Sequence, residues 1–389
     1  MSGTHANAYR DGFSVTHGTL EDAIRWEKER EGGDSWMTVR SDKIRFFPIP
    51  KDPAQADDVM DAFVLDSAEK PTLEDTMLNS GLLVCMDNST FYCVRDSALK
   101  TIFERAKIKG TALGRLSREN LADVLNRCIA VSRGDALAYL SEGKISAIHG
   151  GDRSDYSVLP IPALLEALDT ELAHRFPENV FEGSYSDHSM TTALWTLPEQ
   201  EDDLVGAYRK ELAARGITNY HAMVPGIRFT TSNVGTSGAN VYPFIKDAAT
   251  DRTIRFGTAI HIEHKHEKSV DTFVDEISFL YPKFINATKA LSRLLDVKLY
   301  YPLNAMAEVM KKIGITKKIA FETVETFKAK HGDGPTTAHE TYWGIAEALF
   351  LMRADGASEA KIASAEDAIA RALHINWSEY DIGGEAAAA

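Results

Sequence analysis

The sequence predicts an α+β fold, with an antiparallel sheet in the middle of the chain and an all-helical C-terminal region. Three observations carry that expectation. Between residues 180 and 264, short β-branched or aromatic runs are separated by turn residues, too close in sequence for the crossovers of a dozen or more residues that parallel neighbours need. After Ser269, apolar residues recur at intervals of three and four, the period of an amphipathic helix. At 389 residues, 44% hydrophobic and 26% charged, the chain has the length and composition of a folded protein of two or three domains. The expected division is an N-terminal α+β region over 1–135, an antiparallel β-rich domain over 136–268, a helical domain over 269–382 and a disordered tail over 383–389.

Thr19, with Asp22 three residues on, reads as the cap of a helix over 20–29, which the Glu31-Gly32-Gly33-Asp34 cluster ends. Residues 37–49 alternate enough for a strand, closed by Pro48, Pro50 and Pro53 into an acidic loop ending near Asp58. Runs over 82–86 and 91–94, joined by Asp87-Asn88-Ser89, predict a hairpin, because Asn and Asp tolerate the left-handed backbone of tight turns. Helices are expected over 97–107 and 117–131, then a second hairpin over 136–140 and 144–149 through Glu142-Gly143, then a helix over 162–175. Strands follow over 180–186, 190–197, 220–232, 240–246 and 253–264, interrupted by a helix over 202–215. In the last third, Val270, Phe273, Val274, Ile277 and Leu280 mark a helix that Pro282 breaks or kinks. Four more helices are expected over 303–313, 317–330, 336–353 and 358–373, with Gly314, Gly332 and Gly356 among their stops, and no strand among them.

No run approaches the eighteen or so apolar residues of a membrane span, and residues 1–10 lack the charged and apolar halves of a signal peptide. The expected address is therefore cytoplasmic, with no membrane partner. Cys85, Cys93 and Cys128 are odd in number and lack C-x-x-C spacing, so neither a disulfide framework nor a cysteine zinc site is indicated and reduced core thiols are expected. A formal net charge of -14 argues against nucleic-acid binding by the whole surface, because such binding draws on many Lys and Arg contacts to phosphate. The charge is uneven, however. Residues 1–99 carry ten Lys/Arg against eighteen Asp/Glu, whereas residues 283–330 carry ten against four, a basic island in an acidic protein.

Four clusters are candidates for chemistry. In His261-Ile262-Glu263-His264-Lys265-His266-Glu267, a continuing strand would put His264 and His266 on one face, where two neutral imidazoles are a start toward a divalent-metal site. The same residues would equally solvate the fraying end of an edge strand. In residues 230–238, Ser232, Gly235 and Ser237 belong to a Ser/Thr/Gly turn whose backbone N–H groups are candidate ligands for a phosphate or carboxylate, although no Walker pattern is present. A plain strand-to-strand turn has the same composition. Lys311, Lys312, Lys317 and Lys318 flank Gly314 in a helix-turn-helix-like stretch, where they could meet phosphates, with Tyr300 and Tyr301 nearby for stacking. A solvated αα-hairpin would look alike. Finally, Ser186, Asp187 and His188 are adjacent rather than assembled from distant segments, and no G-x-S-x-G elbow exists, so they read as a polar hairpin turn.

The order of segments also resembles a family of phage- and plasmid-encoded proteins of unknown function related to enterobacterial prophage products. The resemblance lies in a strand at Tyr156-Ser157-Val158-Leu159 entering the Pro-x-x-x-(Leu/Ile)-(Leu/Ile) helix at Pro160 to Leu165, and in the turn where Ser232, Gly235 and Ser237 match. Tyr342-Trp343-Gly344 and the helix over 366–373 are similar to the family's late helices. The likeness covers residues 134–373, and the family's Cys-x-Asn-Gly is replaced around Arg255-Phe256-Gly257-Thr258. Membership implies a mobile-element origin, hence a host cytoplasm, and a role around DNA handling, but supplies no catalytic residue. Three readings follow. The first is a non-enzymatic phage or mobile-element accessory protein that meets nucleic acid, or a replication or recombination complex, through its basic helices. The second is a metal-dependent hydrolase at the His261–His266 cluster. The third is a structural or protein-interaction component, as a homo-oligomer or with a protein partner.

Overall fold

The structure, a computed structural model, describes residues 7–86, 90–110, 112–152, 155–217, 223–247 and 252–383. The chain opens with β1 (Ser14–His17) and α1 (Leu20–Gly33). The expected cap is present: Thr19 Oγ1 accepts the Asp22 N–H at 3.2 Å. The helix runs through Gly32 and Gly33 before Asp34 ends it. The single strand expected over 37–49 is two strands, β2 (Ser35–Arg40) and β3 (Arg45–Pro48), separated by a 3₁₀ turn at Ser41–Lys43. Ser41 is buried there, its hydroxyl accepting from Arg105 Nε at 2.9 Å, so a long-range contact rather than local pattern sets the break. The expected acidic loop also gives way to helices, α2 (Ala56–Phe63) and α3 (Lys70–Leu78). Asp57 and Asp58 lie in the first turn of α2, where carboxylates favour the helix dipole.

β4 (Leu82–Cys85) and β5 (Phe91–Val94) pair antiparallel as expected, although the Asp87–Ser89 turn lies outside the described residues. After α4 (Leu99–Arg105) and α5 (Arg118–Ala130) comes the hairpin of β6 (Asp135–Ser141) and β7 (Lys144–Gly150). Its turn uses Glu142 and Gly143, both left-handed, with φ 50° and 77°. These strands do not open a new domain. They complete a six-stranded sheet in the order β2-β6-β7-β5-β4-β3, so the boundary expected at 135/136 runs through hydrogen-bonded neighbours. The β5–β7 pair is parallel, the others antiparallel. Leu82 and Val84 pack with α4 and α5, while Leu83 and Cys93 pack with α2 and α3, and burial on both faces explains the unbroken apolar run of β4.

Residues 156–159 form no strand; they lead directly into α6 (Ile161–Arg175). The second sheet comprises β8 (Val180–Asp187), β9 (Thr191–Thr196), β10 (Met223–Thr231), β11 (Ala239–Asp247) and β12 (Arg252–Arg255). α7 (Glu201–Ala214) is inserted after β9, and residues 220–222 of the expected third strand lie outside the described residues. The strand expected over 253–264 breaks after Arg255 and resumes as β13 (Ile260–Ile262), both pieces pairing with β11. Gly257 lies in the break with φ 75°, and a Cβ there would sit 2.6 Å from Ala287 Cβ. The order is β1-β8-β9-β10-β11-β12, with β13 beside β11, antiparallel throughout.

The helical period after Ser269 resolves into α8 (Val270–Ile277) and α9 (Leu280–Leu294), with Pro282 in the first turn of α9, where its missing N–H costs nothing. Beyond them lie β14 (Lys298–Leu299), α10 (Pro302–Ile313), α11 (Lys317–His331), β15 (Thr336–Thr337), α12 (Ala338–Ile345), α13 (Glu347–Ala354) and α14 (Glu359–Ala372). Two corrections belong here. A two-residue strand pair, β14 with β15, lies within the helical region, and the helix expected over 336–353 is interrupted at Ala346. One continuous apolar core joins the second sheet to these helices, without a gap at residue 268. Cys85 and Cys93 are buried free thiols, and Cys128 is half-buried. No helix among the described residues is long and apolar enough to cross a membrane. Of the expected tail, residues 384–389 lie outside the described residues.

Candidate functional site

Alternation along the strands gives the second sheet two unlike faces. Ala193, Trp195, Ile227, Phe229, Val241, Ile245 and Ile254 point into the apolar core under the helices. The other face is polar. Register sets Arg228 opposite Leu194 and Tyr242, Thr230 opposite Thr192 and Asn240, and Phe244 opposite Arg255. α14 lies over this face. Its apolar side, Ile362, Ala365, Ile369 and Ala372, joins the helical core, and its acidic side turns to the sheet. Between them runs a trough of two cavities, about 440 and 580 Å³, that share Tyr242 and Arg255. Ala360, Ala363 and Ala370 of α14 are small enough to leave the second cavity open.

The trough is organised by arginines. The Arg228 side chain is 7% exposed; its Nη1 donates to both Glu366 carboxylate oxygens, at 2.5 and 2.6 Å, and its Nη2 donates to Glu359 Oε2 at 3.0 Å. Burial opposes that charge, but the carboxylates of Glu366 and Glu359 outweigh it and hold the guanidinium pKa above its ordinary value. Arg255 stacks 3.7 Å from the Tyr242 ring centroid and donates to Asp367 Oδ1 at 2.9 Å. Arg353 reaches Glu366 Oε1 at 3.5 Å and lines the first cavity. The buried Nε atoms of Arg228 and Arg255 have no hydrogen-bond partner among the described residues. The sequence carried a signal for Arg228: a cation alternating with apolar residues in Ile227-Arg228-Phe229 belongs on the face opposite the core. What reaches it from α14 carried none.

A third cavity, about 500 Å³, lies where the two sheets meet, and shares His261 and Thr236 to Gly238 with the trough. One wall is a column of rings: His149 stacks on Tyr156 at 3.7 Å, and Tyr156 on His264 at 5.4 Å. His149 Nε2 and the Tyr156 hydroxyl both donate to the Asn233 carbonyl, at 2.9 and 3.1 Å. His264 Nδ1 donates to the Ser157 carbonyl at 3.2 Å, leaving Nε2 to accept from Thr231 Oγ1 at 3.3 Å. Burial lowers both imidazoles to a pKa of about 4 and keeps them neutral.

The structure thus separates the two expected metal ligands. β13 ends at Ile262, so strand alternation does not extend to His264 and His266; His264 is buried in the ring column, while His266 is exposed with φ 57°. Exposed His261 bonds Asn240 through Nδ1. Among the described residues, no group of three or more His, Cys, Asp or Glu is placed to hold a metal ion.

In the Ser/Thr/Gly turn, Ser232 Oγ accepts the N–H groups of Val234 and Thr236, at 3.2 and 3.1 Å, and the left-handed Gly235 offers its carbonyl to Lys100 Nζ at 2.8 Å. Both residues build the turn. Ser237 lines the second and third cavities. Lys311, Lys312, Lys317 and Lys318 are exposed at the corner of α10 and α11, which turns at the left-handed Gly314. Lys311 pairs with Glu308 at 3.2 Å and Lys318 with Asp355 at 2.5 Å. Ser186 donates to Glu27 and His188 meets the Arg10 carbonyl, so the stretch over 185–189 is a hairpin end and no triad. Compared with family models, with curated proteins and with solved structures, the chain matches none of them.

Proposed function

We propose that the protein is a non-enzymatic accessory protein of a phage or related mobile element, acting in the host cytoplasm, that binds single-stranded nucleic acid in the trough beneath α14. The observation that carries the reading is the pair Arg228 and Arg255, buried on a hydroxyl- and ring-bearing sheet face and bordered by cavities of about 440 and 580 Å³. Arginine beside aromatic rings on a sheet face is the chemistry that holds phosphates and stacks bases without reading sequence. The basic corner supports the same direction: Lys318 pairs with Asp355, two residues along the chain from the trough-lining Arg353. The mobile-element part rests on the resemblance over residues 134–373 alone. The test is fluorescence anisotropy with a labelled oligothymidylate over a range of salt. Binding is expected to weaken steeply with salt, and to fall at least roughly tenfold when Lys311, Lys312, Lys317 and Lys318 become Glu together. Unchanged binding in that variant removes the corner from the site, and no binding at low salt ends the reading.

A protein-interaction role has separate support. Phe321 on α11 and Phe350 on α13, helices that pack together, are 59% and 58% exposed. Light scattering of the purified chain decides whether they join two copies; a monomer at all concentrations counts against a homo-oligomer.

A further inference from the structure

Four arginines line the trough: Arg228, Arg255, Arg353 and, on α14 itself, Arg371. Each already meets a carboxylate, and the carboxylates all come from one helix: Glu359 and Glu366 on Arg228, Glu366 on Arg353, and Asp367 on both Arg255 and Arg371. Glu366 brings both carboxylate oxygens onto Arg228 Nη1 while Glu359 takes Nη2, so two anions already occupy the hydrogen-bonding edge of this guanidinium. Residues 359 and 366 lie about 10.5 Å apart along the helix axis, and their side chains converge on Arg228 from two turns of α14. Between them the helix shows the trough only small residues, Ala360, Ala363 and Ser364. α14 thus sets three carboxylates, Glu359, Glu366 and Asp367, against the arginines of the sheet, with Arg371 beside the last of them.

Building on the nucleic-acid reading above, we propose that α14 is an autoinhibitory cover whose carboxylates hold the anion positions of the trough and compete with the phosphates of an incoming strand. Exposure grades the three acids. The side chains of Asp367 and Glu359 are 51% and 25% exposed and can turn to water, releasing Arg255 and one side of Arg228. Glu366, 4% exposed, stays as the lasting partner of Arg228. The helix itself remains docked, because its apolar side, Ile362, Ala365, Ile369 and Ala372, is buried in the core. The exchange is therefore one of side chains: two carboxylates leave and two phosphates take their places, with no change in the net charge around the arginines. A purely docking role for these ion pairs makes the opposite prediction, that neutralising the acids affects stability and leaves binding unchanged.

The test uses the full chain with Glu359→Gln and Asp367→Asn, which keep the shapes and leave the Arg228–Glu366 pair intact. Labelled oligothymidylates of about 8 and 16 nucleotides are the probe. The cover predicts binding roughly three- to tenfold tighter than wild type, with a steeper dependence on salt, since no carboxylate is freed to offset the phosphates. Equal affinity in the two proteins overturns the cover and leaves the nucleic-acid reading standing. Failure of both proteins to bind at low salt overturns the reading and the cover together. Hydrogen exchange on the wild type gives a second measure that needs no variant: because only side chains leave the arginines, the α14 amides are expected to keep their protection under saturating oligothymidylate, and faster exchange there overturns a cover that opens by its side chains.

Discussion

Arg228 lies buried between Glu366 and Glu359, so truncating it leaves Glu366 in a low-dielectric site with only the more exposed Arg353, at 3.5 Å, as a cation. Arg228→Met is expected to lower unfolding free energy by about 3–5 kcal/mol, whereas the paired change with Glu366→Leu recovers much of that loss in urea melts. A single and double variant of equal stability would show that the pair contributes no coupling. His149 and His264 carry a second residue-level consequence. Both have a folded pKa of about 4, below the unfolded value near 6.5, so between those limits the unfolded chain binds more protons. The stability conferred by their neutral forms is fully present above about pH 6.5 and drains as pH falls toward 4, by on the order of 2–3 kcal/mol for each ring. Urea denaturation from pH 7 to pH 4.5 measures that slope, and His149→Gln, which has no titrating ring, is expected to flatten it.

The elements divide by how local their causes are. The start of α1 follows from Thr19 and Asp22, and the β6–β7 turn from Glu142 and Gly143; both depend on bonds within a few residues and were legible in sequence. The break between β12 and β13 was not. Nothing adjacent to Gly257 signals that α9 passes so close that a Cβ would meet Ala287 at 2.6 Å. Gly257→Ala combines that clash with an unfavourable left-handed backbone, and a loss of about 1–3 kcal/mol is expected by thermal melting, with the midpoint lowered by several degrees. Unaltered stability would mean that α9 and the strand break move apart freely. The break at Ser41 has the same origin, since a buried hydroxyl held by Arg105 ends a run whose alternation would otherwise continue.

At the scale of the molecule, the N-terminal segment threads both sheets: β1 pairs with β8 in the second, then β2 enters the first beside β6. The ring column of Tyr156, His149 and His264 bridges the same junction. The two sheets are accordingly expected to unfold together, with near-ultraviolet and far-ultraviolet circular dichroism tracing one coincident transition; two resolved transitions would show separate folding units. The amino-acid pattern by itself determined the α+β class, the antiparallel pairing of the middle strands and the helical last third, because period, caps and turn residues act over three to ten neighbours. Only the tertiary structure decided that the strands between residues 35 and 150 form one sheet with its own core, that His264 is enclosed in a ring column apart from His266, and that Arg228 and Arg255 meet acids from α14 more than a hundred residues later. Charge and ring chemistry become a site only when side chains from distant segments share a cavity, and sequence spacing holds no record of that distance.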